Sequence, residues 1–300
     1  MGIASHSRNF IWNTIITIIQ RVNSMETRDF GEKRNESAPS GTRSAFLLQT
    51  EKGKETSMFR STNELSGYKI LATDGECGTV KDFLFDDELN IIRYLVVETG
   101  GWLSGRQVLI SPVAIAQPDL DTRQLPTVLS KANIENSPEL KSDFPVSRQY
   151  ETALASYYNW PAYWGSAVSS VFGRQTTMDE VATQVKETDG DPHLRSAREV
   201  TGYQIQCMEG ALGHVEDLVV DTESWSLRYL IIDTSDWLPA SKKVIVAFDW
   251  LTHFKWENRK AYVDLTQGQV RDAPSFDSRL PVNRNYETQL YDFYGRPAYW

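Results

Sequence analysis

Metal binding and nucleophilic catalysis draw on His, Cys and clustered acids, and in this chain those residues are scattered. His6, His193, His214 and His253 stand far apart, and Cys77 and Cys207 are the only cysteines, with no His-x-x-x-His or Cys-x-x-Cys spacing. Two thiols build neither a disulfide framework nor a four-thiolate zinc site, so a reducing, cytoplasmic setting without a metal is expected. Asp82 and Asp86, with Asp217 and Asp221, could attract a cation or feed protons. The expected role is plainer: turn caps and hairpin ion pairs with Arg93 and Arg228, which stabilise little when exposed. Gly75, Gly78, Gly210 and Gly213 precede no helix in the manner of a phosphate loop and read as turn glycines. Aromatic groups remain. Trp102 in Gly100-Gly-Trp-Leu-Ser-Gly105 and Trp237 in Ser235-Asp-Trp-Leu-Pro239 are candidates for partner binding. Tyr163, Trp164, Tyr299 and Trp300 are candidates for a latch folded onto a groove, in preference to a ligand stack. No catalytic, cofactor-binding or metal residue is assigned, and a non-enzymatic protein without a cofactor is expected.

These residues recur as a set, which reveals the elements that position them. Gly67-Tyr68-Lys-Ile70 returns as Gly202-Tyr203-Gln-Ile205, and Gly78-Thr-Val80-Lys-Asp82 as Gly213-His-Val215-Glu-Asp217, at an offset of 135. Asp86, Arg93, Tyr94, Thr99 and Trp102 return at the same offset as Asp221, Arg228, Tyr229, Thr234 and Trp237. After one inserted residue near Ser241, Pro145-Val-Ser-Arg148 matches Pro281-Val-Asn-Arg284, and Pro161-Ala-Tyr-Trp164 matches Pro297-Ala-Tyr-Trp300. Copy one spans 58–164, a linker 165–192 and copy two 193–300. His214 and His253 face Thr79 and Gln117 in copy one, which argues against a duplicated metal site.

Alternating and β-branched runs predict strands over 79–85, 91–97, 107–110, 113–117 and 124–129, and over 214–220, 227–232, 243–247, 250–256 and 261–265. About six short strands per copy imply a small curled or closed barrel. Three- and four-residue spacing of Tyr150, Leu154 and Tyr157 or Tyr158, and of Tyr286, Leu290 and Phe293 or Tyr294, predicts a helix after each barrel. Arg148 with Glu151 and Arg284 with Glu287 lie three apart, close enough to pair on a helix face for a few tenths of a kcal/mol. Each copy is expected to hold its own core, and the aromatic tails to hold the two barrels together.

Composition narrows the partners. The chain holds 31 basic and 40 acidic residues, a net charge of −9, with copy one at 9 against 14 and copy two at 12 against 15. That excess disfavours nucleic acid, whose binding releases counterions through surplus Lys and Arg. Residues 1–57 hold 8 basic and 6 acidic groups and one apolar run, Phe10 to Ile19. Ten residues interrupted by polar ones cannot cross roughly 30 Å of hydrocarbon. This segment is expected to be a disordered extension, with Met25 and Met58 as alternative starts. A short helix is expected over 178–186 in the linker.

Gly67-Tyr68, Gly78-x-Val80-x-Asp82, Asp86 and Ile92-Arg-Tyr-Leu-Val-Val97, with their counterparts in copy two, resemble the PRC-barrel family. That family takes its name from the cytoplasmic domain of the photosynthetic reaction-centre H subunit and includes a ribosome-maturation factor. The Pro-Val-x-Arg-x-x-Glu helix and Pro-x-Tyr-Trp ending look like the tail of doubled bacterial members. The resemblance implies a mainly β fold of two small PRC-type barrels in tandem, each followed by a helix and an aromatic tail. It also implies docking or assembly with a protein partner, and brings no shared catalytic residue. The alternative it carries is a peripheral accessory of a photosynthetic or electron-transfer membrane complex, with Asp82, Asp86, Asp217 and Asp221 as a proton antenna. Ribosomal binding is disfavoured by charge.

Overall fold

The computed structural model describes residues 58–100, 105–140, 146–160, 193–238, 241–277 and 282–300. The expected extension, the linker helix, Trp102, Tyr163 and Trp164 lie outside the described residues.

Copy one opens with a short arm: strand β1 (Phe59–Ser61) and a single turn, α1 (Thr62–Leu65), capped by the Ser61 hydroxyl, which accepts from the Glu64 N–H. Strands β2 (Lys69–Ala72), β3 (Gly75–Asp86), β4 (Ile91–Thr99), β5 (Gln107–Ile110) and β6 (Gln124–Pro126) follow, then helices α2 (Lys131–Glu135) and α3 (Arg148–Tyr158). Copy two repeats the order. Its arm is β7 (Leu194–Ser196) and α4 (Ala197–Val200), followed by β8 (Gln204–Cys207), β9 (Gly210–Asp221), β10 (Ser226–Asp233), β11 (Lys243–Ala247), β12 (Leu251–Lys255) and β13 (Lys260–Val263). Helices α5 (Gln267–Asp272) and α6 (Arg284–Tyr294) complete it.

The fold is mainly β, and the sheet does not close into the barrel that was one of the expected forms. One open sheet runs β12-β13-β8-β9-β10-β4-β3-β2-β6, with β11 on β10 and β5 on β4. The long strands β3 and β9 hold each copy together, because their first halves pair with β2 or β8 while from Gly78 and His214 onward they pair with β4 or β10. The strand expected over 113–117 is a tight turn instead. Pro112 starts a 3-10 segment in which the Ala114 and Ile115 N–H groups donate to Ser111 and Pro112, leaving a lone bridge between Ile115 and Thr127.

The copies are joined by exchange of their arms. β1 of copy one pairs antiparallel with β9 of copy two, Ser61 opposite Val219, and β7 of copy two pairs with β3 of copy one, Ser196 opposite Leu84. The exchange continues in the backbone: the Thr222 N–H donates to the Met58 carbonyl and the Asp87 N–H to the His193 carbonyl, each at 2.9 Å. Near the local axis, Ser226 pairs with Ile91, and Asn90 and Trp225 hold matching left-handed turns at φ 57° and 54°. Burial follows the exchange. Phe83 stacks on Trp225 at 6.4 Å and Phe85 meets Phe248 edge-on at 6.2 Å, so one core runs through both copies where two separate cores were expected. A smaller cluster of Leu84, Tyr94, Val96, Leu109, Leu154 and Leu194 lies under α3.

Candidate functional site: buried carboxylates and an aromatic end

Asp82 and Asp217 sit just after a bulge. In the β3–β4 ladder Val80 faces Val97 and Asp82 faces Val96, so Lys81 is the extra residue; Glu216 is its equivalent between Val215 and Asp217. A bulge re-aims the side chain that follows it. Both aspartates turn into the joint between the copies, each 6% exposed. Neither forms the hairpin ion pair that their spacing suggested. Asp217 accepts from the Ser61 hydroxyl, from the Thr62 hydroxyl at 2.8 Å and from the Asn63 N–H at 3.2 Å, all in the arm of copy one. Asp82 accepts from the Ser196 hydroxyl at 2.5 Å and the Arg198 N–H at 3.1 Å in the arm of copy two. Each aspartate thus stabilises the first turn of the other copy's short helix. Burial raises both carboxyls above the usual aspartate range, and these hydrogen bonds draw them only part of the way back.

The hairpins place the remaining charged residues. Asp86 accepts from the Glu88 and Leu89 N–H groups and holds buried Arg93 at 2.7 Å, whereas Asp221 accepts from Glu223 and Ser224 and meets Arg228 only at 3.7 Å. Residues 58–125 and 195–270 match the family model described as PRC-barrel domain. The chain carries two PRC-barrel domains in tandem. A Deinococcus radiodurans protein described only as uncharacterized is 32% identical over 95 residues, 32% of this chain and 33% of that protein. The chain therefore matches about a third of that relative's length. In this tandem PRC-barrel protein the family segments take in the exchanged arms, all but Leu194, and end before helices α3 and α6.

Those two helices carry what the sequence reading undervalued. Glu151 and Glu287 are fully buried, with Arg148 and Arg284 at 2.9 and 3.0 Å, so the estimate for an exposed helix pair does not apply to them. Glu287 also accepts from the buried Tyr229 hydroxyl at 2.5 Å and from Tyr299 at 2.8 Å. Burial, with hydrogen bonding to this carboxylate, raises the Tyr229 hydroxyl far above the usual phenol range and that of Tyr299 to about 12.

The described tail folds back on its own PRC-barrel repeat rather than across to its neighbour. Tyr299 lies beneath the Arg228 guanidinium at 4.4 Å, and Trp300 beneath Arg284 at 4.3 Å and edge-on to Tyr291 at 5.2 Å. Both rings stay partly open, Tyr299 at 36% and Trp300 at 49%. Beside them runs an open groove of about 230 Å³ lined by Asp249, Trp250, Tyr291, Arg296, Pro297 and Tyr299. Trp237 is half-buried against the core. His214, Glu216 and Asp233 bring one ligand atom each within 4.8 Å of one another. His214 is engaged by Asp236 at 2.8 Å and Glu216 by the Lys243 ammonium at 2.6 Å, so a cation there would compete with a charge the chain already supplies.

The arms were missed because three-residue strands carry too little periodicity to register. Their signal was Ser61-Thr-Asn-Glu64 and Ser196-Ala-Arg-Glu199, each a helix-capping pattern. Arg123 and Arg259 were missed as well. Both stand at positive φ, 53° and 50°, and lie over the rings of Tyr68 and Tyr203 at 5.2 and 5.3 Å.

Proposed function

We propose that this tandem PRC-barrel protein is a non-enzymatic assembly module that docks a protein partner, and that it works in the cytoplasm without a cofactor. One observation carries the reading: the buried carboxylates Asp82, Asp86, Asp217 and Glu287 are committed to joining arms, hairpin and tail, while aromatic rings bracketed by arginines face outward at Tyr299 and Trp300. Aromatic and arginine side chains dominate the energetic centres of protein interfaces. Two buried free thiols, Cys77 and Cys207, favour a reducing compartment. The net charge of −9 favours protein over nucleic acid. The proton-antenna alternative has little support, because Asp82, Asp86 and Asp217 are buried in hydrogen bonds rather than displayed. Among the described residues, no helix is long and apolar enough to cross a membrane.

The test is stoichiometric capture from the native host, comparing the natural chain with Trp300→Ala and Trp237→Ala. A discrete partner protein recovered with the natural chain and lost with either variant, both still folded, supports docking. Sustained turnover of a small substrate by the purified chain with a bound metal or cofactor would sink it.

A further inference from the structure

The arm exchange reaches beyond the architecture of one molecule. The face that receives the arm of copy one consists of the β9 edge, which pairs Phe59 with Asp221, Arg60 with Val220 and Ser61 with Val219, and of the buried Asp217 carboxylate. From its own copy Asp217 receives only the N–H of its neighbour Leu218; the two hydroxyls and the Asn63 N–H come with the arm. The mirror face on β3 has the same arrangement, with Asp82 receiving the neighbouring Phe83 N–H from its own copy. Without an arm, each face would present an unpaired strand edge and a carboxylate stripped of its hydroxyl donors, the first of them a template for pairing with another strand.

Each arm meets its own repeat at a glycine, Gly67 or Gly202, at φ 88° and 86°, and a Cβ placed at either glycine would meet nothing within 4 Å. The two arms are similar without being equal. Phe59 meets Tyr229 edge-on at 5.9 Å, whereas Leu194 enters the Leu84 and Tyr94 cluster, and Thr62 offers a hydroxyl where copy two has Ala197.

We propose that each of these faces is a docking site for the arm of another PRC-type repeat, a short strand followed by a Ser-x-x-Glu turn, recognised by strand addition and by a buried aspartate. Within one chain the sibling repeat supplies the arm at the high local concentration of a tethered partner. Once the tether is cut, the same repeat from a second copy of the chain supplies it. The inference rests on the backbone pairing and stands independently of the docking role proposed above.

The test uses the full chain with a protease site introduced at Gly173, cut after folding and followed by native mass spectrometry. The expected result is that the halves remain a one-to-one pair, and that cut isotope-labelled and unlabelled samples exchange halves to give hybrids. Ser61→Ala with Thr62→Val removes two hydrogen bonds to a buried carboxylate and is expected to weaken the cut pair roughly a hundredfold, with Asp264→Ala as an unaffected control. Should the double variant fail to fold uncut, as judged by its circular dichroism, Ser196→Ala loosens the opposite joint about tenfold by the same reasoning. Halves that separate at micromolar concentration into two folded monomers would overturn the proposal, as would a cut pair indifferent to these substitutions.

Discussion

Glu287 offers the sharpest test of how this protein is held together, because its spacing and its surroundings lead to different magnitudes. Three residues from Arg284 on a helix, an exposed glutamate would contribute about 0.3 to 0.5 kcal/mol. In the folded chain it is fully buried and accepts from Tyr229 and Tyr299, while Arg284 is half-exposed. Glu287→Ala removes one buried methylene, at about 0.8 kcal/mol, together with the carboxylate. It also strands the Tyr229 hydroxyl, which costs roughly 1 to 3 kcal/mol. Arg284 can turn to solvent, so no buried cation is left behind. The expected loss is therefore about 2 to 4 kcal/mol, and at about 2 to 4 °C per kcal/mol for a folded body of this size, Tm falls by roughly 10 °C. Glu287→Gln keeps the shape and one acceptor, and loses the charge assistance of two hydrogen bonds and the Arg284 ion pair, about 2 kcal/mol in all. Urea unfolding followed by far-ultraviolet circular dichroism measures both. A loss below about 0.5 kcal/mol for the alanine variant would refute the buried-network account and restore the exposed helix-pair estimate.

Three further outcomes follow from the geometry. Asp82 and Asp217 have folded pKa values raised by burial, so in the window from their folded values down to the unfolded value near 3.8 the native state binds more protons than the unfolded one. Their contribution to stability must grow as pH falls through that window, so the stability of the natural chain minus that of Asp217→Asn should rise; a difference that falls on acidification contradicts the assignment. Gly213→Ala should destabilise far more than Gly67→Ala, although both glycines have positive φ: the added Cβ at 213 would lie 2.0 Å from the Asp233 carbonyl oxygen, whereas at 67 it meets open space. Equal denaturation midpoints for the two variants would show the argument to be wrong. Trp225 holds a left-handed turn for the sake of burying its ring on Phe83, so Trp225→Asn, which copies the relaxed Asn90, should still cost about 3 kcal/mol in equilibrium unfolding. A neutral or stabilising result would mean that turn geometry outweighs ring burial.

Much of the architecture could be read from the chain because it was written twice. The offset of 135 located β3, β4, β9 and β10, since matched Val, Phe, Leu and Tyr positions in both copies mark residues facing a core. It could not reveal which copy's core they face. Asp82 and Asp217 recur as a pair, and hairpin ion pairs with Arg93 and Arg228 fit that recurrence equally well; the Lys81 and Glu216 bulges that turn them across the joint have no one-residue signature. Glu151 and Glu287 were visible as helix partners of arginine but not as buried groups. For Glu287 the partners are Tyr229 and Tyr299, one 58 residues before it and one 12 after it. Arm strands three residues long, such as Phe59–Ser61, fall below any periodic pattern, and only their capping serines announce them.

Exchange of arms also sets a timetable for biosynthesis. When residues up to Thr99 have left the ribosome, β3 and β4 can pair, but the second half of β3 still lacks its outer neighbour, which arrives only with Leu194–Ser196. For nearly a hundred further residues of translation the nascent chain carries an open strand edge beside the unfilled Asp82 pocket, a state prone to aggregate or to be held by chaperones. Slow translation of 165–192 would lengthen that exposure, and rapid delivery of the second arm would end it.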